Sequence, residues 1–170
     1  MRVYLPATTT VLRRLVDEGL LPGPHTAFAV TPQLRTFYAV SEAEADTEEL
    51  EYAALLAAAR ASLRLLDVDP VAARRRAVIA ADVPDDAASP MEDPHVEPGA
   101  VRIEADVRLS DVASAHLDGA AAEEDVRAAV GVVLEADLGS EDSQFLVDQA
   151  EGHELSWYAT QEIGPMLDLL

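Results

Sequence analysis

Two hydrophobic periods alternate along this chain, and the switches between them mark its elements. Arg2 to Leu5 reads as a short strand, stopped by Pro6. A helix follows, capped by Thr8 or Thr9, with Val11, Leu12, Leu15 and Val16 on one face and the pairs Arg13/Asp17 and Arg14/Glu18 on the other. Gly19 followed by Leu20 closes it. After a Pro22-Gly23-Pro24 turn, Thr26 to Val30 reads as a buried strand, and Thr31-Pro32 opens a short helix. The unit is β-α-β, whose strands, if adjacent, run parallel with a right-handed crossover.

The acids from Glu42 to Glu51 end in Asp46-Thr47-Glu48-Glu49, which has the spacing of a capping box. From there to Leu66 runs the longest helix, with Tyr52, Leu55, Leu56, Ala59, Leu63 and Leu66 at helical spacing, until Asp69-Pro70 ends it. Ala77 to Val83 is apolar without alternation, the pattern of a strand buried on both faces. Residues 84–99 hold four prolines and five acids and read as a flexible loop. Val101 to Glu104 and Ala113 to Leu117 follow as strands, then a helix from Ala121 to Asp137 and a second one carrying Phe145, Leu146 and Gln149. Leu155, Trp157 and Ala159 alternate as a last strand before a helical turn capped by Thr160. The order predicts one domain over residues 1–170, of α/β (or α+β) class, with a mixed sheet of five or six strands packed by helices.

Charge changes this picture most. The 170 residues carry 32 Asp and Glu against 12 Lys and Arg, a net charge of −20, and all twelve bases are arginine. Such a surface repels nucleic acid and anionic membrane. With no cysteine, disulfides, thiolate metal sites and cysteine nucleophiles are excluded, which suits a reducing cytoplasm. No apolar segment develops after Arg2 as a signal peptide requires, and no run approaches the about 20 residues of a membrane span. A soluble cytoplasmic protein is expected.

The one basic island is Arg60, Arg64, Arg74, Arg75 and Arg76, and guanidinium forks suit phosphate or carboxylate oxygens. These five are candidates for an anion site; pairing with acids of the same chain, Glu42 to Glu51 among them, is the plainer alternative. His153-Glu154 starts like a zinc-protease motif, but Trp157 stands where the second histidine belongs. His116 has Ser114 on its own face and Asp118 two residues on, so His116 and Glu154 are the candidate acid/base groups. Trp157 and Tyr158 are candidates for a partner surface. The apolar tail ending in Leu169-Leu170 needs cover, from the 50–66 helix of its own chain or from a second copy in a homodimer. No metal or cofactor motif is present.

The segments MRVYLPAT, HTAFAVTP, EELEYAALLAAARASLRLL, AVIAADVP and HELSWYATQEI resemble a family of small proteins from high-GC actinobacteria with no assigned activity. The resemblance implies a cytoplasmic actinobacterial origin rather than a halophile, and brings no catalytic residue with it. The reading is then a non-enzymatic binding or regulatory protein whose partner is a protein or a small anionic ligand. The competing reading is a small hydrolase or transferase that holds an anionic substrate in its arginine cluster.

Overall fold

The apolar run that begins at Ala77 lies where its composition puts it, at the centre of a sheet. In a computed structural model, which describes residues 1–39 and 46–170, strand β4 (Ala77–Asp82) is buried from Ala77 through Ala81. β1 (Arg2–Ala7) pairs along one side of it, from Arg2↔Asp82 to Ala7↔Ala77, and β8 (Val112–Asp118) along the other. Beyond β1 lie β3 (His25–Phe28), β6 (Ala100–Ile103) and the edge strand β5 (Ala88–Pro90); beyond β8 lies the other edge, β9 (Leu155–Ala159). β2 (Leu20–Leu21) and β7 (Val107–Arg108) form a ladder of their own.

The α/β class is as expected, but the sheet is neither mixed nor of five or six strands: among the described residues it has seven, and each of their pairings is antiparallel. All six expected strands are there. The seventh, β5, comes from the segment 84–99 expected as a flexible loop, which pairs Ala88 to Pro90 with β6. A three-residue edge strand ending in proline leaves almost no periodic signal. The two strands are adjacent, but the parallel pairing expected in that case is corrected: Leu20, read with Gly19 as a helix stop, forms β2 with Leu21 and pairs with Val107-Arg108, and the Pro22–Pro24 turn then reverses the chain before β3.

Helix α1 (Thr9–Glu18) starts where the Thr8 hydroxyl accepts the Val11 N–H at 3.2 Å and ends at Gly19 with φ 75°, a conformation that favours glycine. Its Leu12 and Leu15, with Ile163, Met166 and Leu167 of α7 (Ile163–Asp168), cover one face of the sheet. The apolar tail therefore docks on its own chain through Ile163, Met166 and Leu167, against α1 rather than beside the 50–66 helix, with Leu169 and Leu170 both left exposed. The opposite face is covered by α2 (Pro32–Ala39) and α3 (Thr47–Asp67). Asp46 accepts from Glu48 N–H and Glu49 reaches back to Asp46, the capping box the sequence announces; Glu42 and Glu44 lie outside the described residues. Ala54, Ala58 and Ala59 of α3 face Val78 and Ala80, so small side chains on both sides let helix and sheet approach closely.

The C-terminal half of α3, through Leu63 and Leu66, packs on α4 (Glu123–Val130), α5 (Val133–Asp137) and α6 (Glu141–Glu151). The single helix expected from Ala121 to Asp137 is a 3-10 turn followed by α4 and α5, interrupted at Gly131-Val132. Glycine is a poor helix former, and the break turns Val133 and Ala136 inward. No helix among the described residues is long and apolar enough to cross a membrane.

Candidate functional site

Pro6 decides where the sheet opens. It sits opposite Val78 in an unbroken β1–β4 ladder, which a residue without an N–H can do only with its nitrogen turned away from β4, toward β3. Pairing on that side is accordingly confined to Tyr4↔Phe28. Past this pair, Pro6 and Thr26 line a cleft of about 1510 Å³ that also takes in a face of α3.

The cleft is apolar along most of its length. Leu34 and Phe37 of α2, Ala53, Leu56 and Ala57 of α3, and Met91 and Val96 from the segment after β5 contribute to its lining. Phe37 is 62% exposed, its ring edge-on to that of Tyr38 with centroids 5.5 Å apart. Gly99 holds the 91–98 segment against β3: at φ 92° its N–H side turns so that a Cβ would lie 3.0 Å from the Ala29 carbonyl, and its own carbonyl accepts the Ala29 N–H at 2.8 Å.

The other end is charged. Arg60 donates to Glu151 at 3.0 Å, to Asp137 at 3.2 Å and to Gln144 at 3.0 Å; Arg64 grips Asp137 with Nε at 2.7 Å and Nη2 at 3.0 Å. The Arg64 hydrogen bond, followed by Arg64 and Arg60 charge, holds the Asp137 carboxyl below its ordinary range against the opposing effect of burial. Glu97 lines the cleft within electrostatic reach of Arg64, Arg60, Asp137 and Glu151. Surrounding protein raises its pKa, and the nearby guanidinium groups only partly offset this. Its side chain is nonetheless exposed to solvent, which tempers that effect.

The five arginines of the basic island do not converge on one patch. Arg60 and Arg64 are in the cleft, as described, and Arg76 borders it. Arg74 donates to the carbonyls of Leu66 and Asp69, holding the end of α3, and Arg75 pairs with Glu123 at 2.8 Å at the start of α4. Arg76 is fully buried, bidentate to the equally buried Asp118 at 2.8 Å on each arm, with a further bond to the His153 carbonyl. Its Nη1, likewise buried, has no acceptor among the described residues. Every guanidinium of the island is thus engaged within the chain, and the carboxylates seen to hold Arg60, Arg64, Arg75 and Arg76 come from residue 118 onward; of the 42–51 run, the described part from Asp46 to Glu51 makes no ion pair with them.

The acid/base candidates lie elsewhere. His116 Nε2 is 3.2 Å from Ser114 Oγ, but the Asp118 carboxylate that was to orient it is taken by Arg76. Burial, then the charge of Arg2, lowers the His116 pKa. Glu154 is exposed beside a small groove formed with Tyr52, Leu55 and His153. Neither residue lines the large cleft. Trp157 stands on β9 opposite His116 and is 61% exposed, whereas Tyr158 points to the other face and packs against the core beneath α1 and α7. The sequence reading missed Glu97, Phe37, Met91 and the role of Pro6. Each looks ordinary in its own segment, and only the antiparallel placement of those segments brings them together.

Residues 1–167 match the model of a family of unknown function, DUF6912, and the chain belongs to that family. No curated protein and no solved structure matches it.

Proposed function

We propose that the protein is a cytoplasmic, non-enzymatic binding protein whose site is the cleft along α3, and that its ligand is an elongated, largely apolar molecule with one polar end. The observation that carries this reading is the cleft itself: about 1510 Å³, apolar from Phe37 to Val96 and ending in a fixed cluster of charges. Apolar walls supply the driving force, and a few fixed polar groups set the orientation. The absence of cysteine suits a reducing compartment. A hydrolase or transferase holding an anion in the arginine island gains no support, because those guanidinium groups are engaged and His116 and Glu154 lie outside the cleft.

The reading is tested with a neutral, environment-sensitive dye. The native protein is expected to bind it with a blue shift, and Ala57→Trp, which places an indole in the cleft at a half-buried wall position, is expected to weaken binding by about tenfold or more while leaving the thermal transition in place. Unaltered binding by a folded Ala57→Trp protein would remove the cleft as the site.

A further inference from the structure

Four guanidinium groups line the cleft, and each is held by a carboxylate: Arg14 by Glu18, Arg60 by Asp137 and Glu151, Arg64 by Asp137, and Arg76 by Asp118, the last fully buried, so that its unpartnered Nη1 is sealed from solvent. Of the carboxylates in the lining, Asp137 and Glu151 are occupied by those same arginines. Glu97 is different: among the described residues its carboxyl takes part in no ion pair and accepts no hydrogen bond. Arg60, Arg64, Asp137 and Glu151 cancel in charge, so among the described residues of this end Glu97 sets its sign.

Resting on the cleft as the binding site, we propose that this end takes a cationic head group, an alkylammonium in its simplest form, with the Glu97 carboxylate as counter-ion. An anionic head would meet Glu97 or have to displace a carboxylate from Arg60 or Arg64. A neutral head would seal Glu97 away from water with no compensating charge, which is costly for a carboxylate. An ammonium placed against Glu97 instead completes a charge pair while the existing bonds of Arg60 and Arg64 stay as they are. The neighbouring Leu56, Ala57, Met91 and Val96 then receive the apolar part of the ligand.

Calorimetric titration with octylammonium, octanol and octyl sulfate, which share one tail, separates head from tail. At about 0.15 M salt, where exposed charges are screened beyond about 8 Å, octylammonium is expected to bind about tenfold tighter than octanol, and octyl sulfate weakest. Glu97→Gln should bring octylammonium and octanol together, while Glu124→Gln, an exposed site on α4 outside the cleft, should leave the preference intact. Equal affinity for octylammonium and octanol, or preference for the sulfate, overturns the cationic head group and leaves the apolar cleft standing. An ammonium preference that survives in Glu97→Gln also overturns it, by assigning the preference to the general negative field. Failure of all three probes to bind overturns the cleft reading itself.

Discussion

Glu97 is held in a state that costs the fold stability at neutral pH. Its folded pKa is raised, by burial first, above an ordinary value of 4.5, so the folded protein holds this proton more tightly than the unfolded chain. The stabilisation is complete below the unfolded value and is lost as pH rises through the folded one. Above that folded value the carboxylate remains charged against the protein that crowds it, an effect tempered by its exposure to solvent. Glu97→Gln is therefore expected to unfold at a higher temperature than the native protein at pH 7 and to lose that advantage near pH 4, measured by parallel thermal melts. A group whose removal stabilises the fold is one retained for another reason, in keeping with a ligand counter-ion. Arg76–Asp118 is the opposite case, a fully buried pair on which α6 and β9 also depend through the His153 carbonyl. Asp118→Ala strands a guanidinium away from water and is expected to cost about 3–5 kcal/mol, whereas Arg76→Met combined with Asp118→Leu should cost less than the single change. Urea unfolding of both variants checks this, and a double variant no better than Asp118→Ala would mean that packing, not charge, dominates there. The sequence marks Arg76 as one of three consecutive arginines, but nothing local tells which of the three turns inward; the partner is 42 residues away.

At the scale of elements, whatever is written in local periodicity is legible. The α3 capping box, the Thr8 cap of α1, the Gly19 stop and the doubly buried β4 are each decided by residues within one turn or one strand, and each is found where the pattern puts it. Strand direction is not local. A β-α-β reading is sound until two leucines after the helix pair with Val107 and Arg108 and the chain turns back, so β3 lies antiparallel to β1. β5 is likewise invisible because three residues ending in proline have no period to read. The cleft inherits this opacity. One wall comes from α2 and α3, the opposing one from residues 91–98, and its charged end from α5 and α6, and only the observed strand order sets them around a common space. Pro6 was visible as a break in a strand, yet in the structure the strand continues through it to Ala7, and the break falls instead on the pairing with β3.

The whole molecule carries far more carboxylates than its arginines can answer. With 32 acids against 12 arginines, most negative groups have no positive partner, and the pairs on open surface, such as Arg2–Asp82, Arg13–Asp168 and Arg102–Glu104, are of the kind worth about 0–1 kcal/mol. Folding gathers these charges into a small volume, and the repulsion favours the unfolded chain. Salt screens it: the Debye length falls from about 30 Å at 0.01 M, a distance comparable to the protein itself, to about 8 Å at 0.15 M. The same screening weakens the exposed ion pairs, but those have little to lose, and the buried Arg76–Asp118 pair is beyond the reach of counter-ions. The melting temperature is therefore expected to rise as sodium chloride is raised over that range. Salt would also favour association of two copies with a charge of −20 each, so the protein concentration has to be varied in the same melts. Because Ile163, Met166 and Leu167 are covered by the chain's own α1 face, the rise should be the same at tenfold different protein concentrations. A transition that climbs with protein concentration would transfer the stabilisation to self-association, with the uncharged edge strand β9 and its exposed Trp157 as the surface to alter next, and a transition insensitive to salt would mean that the repulsion is already balanced within the fold.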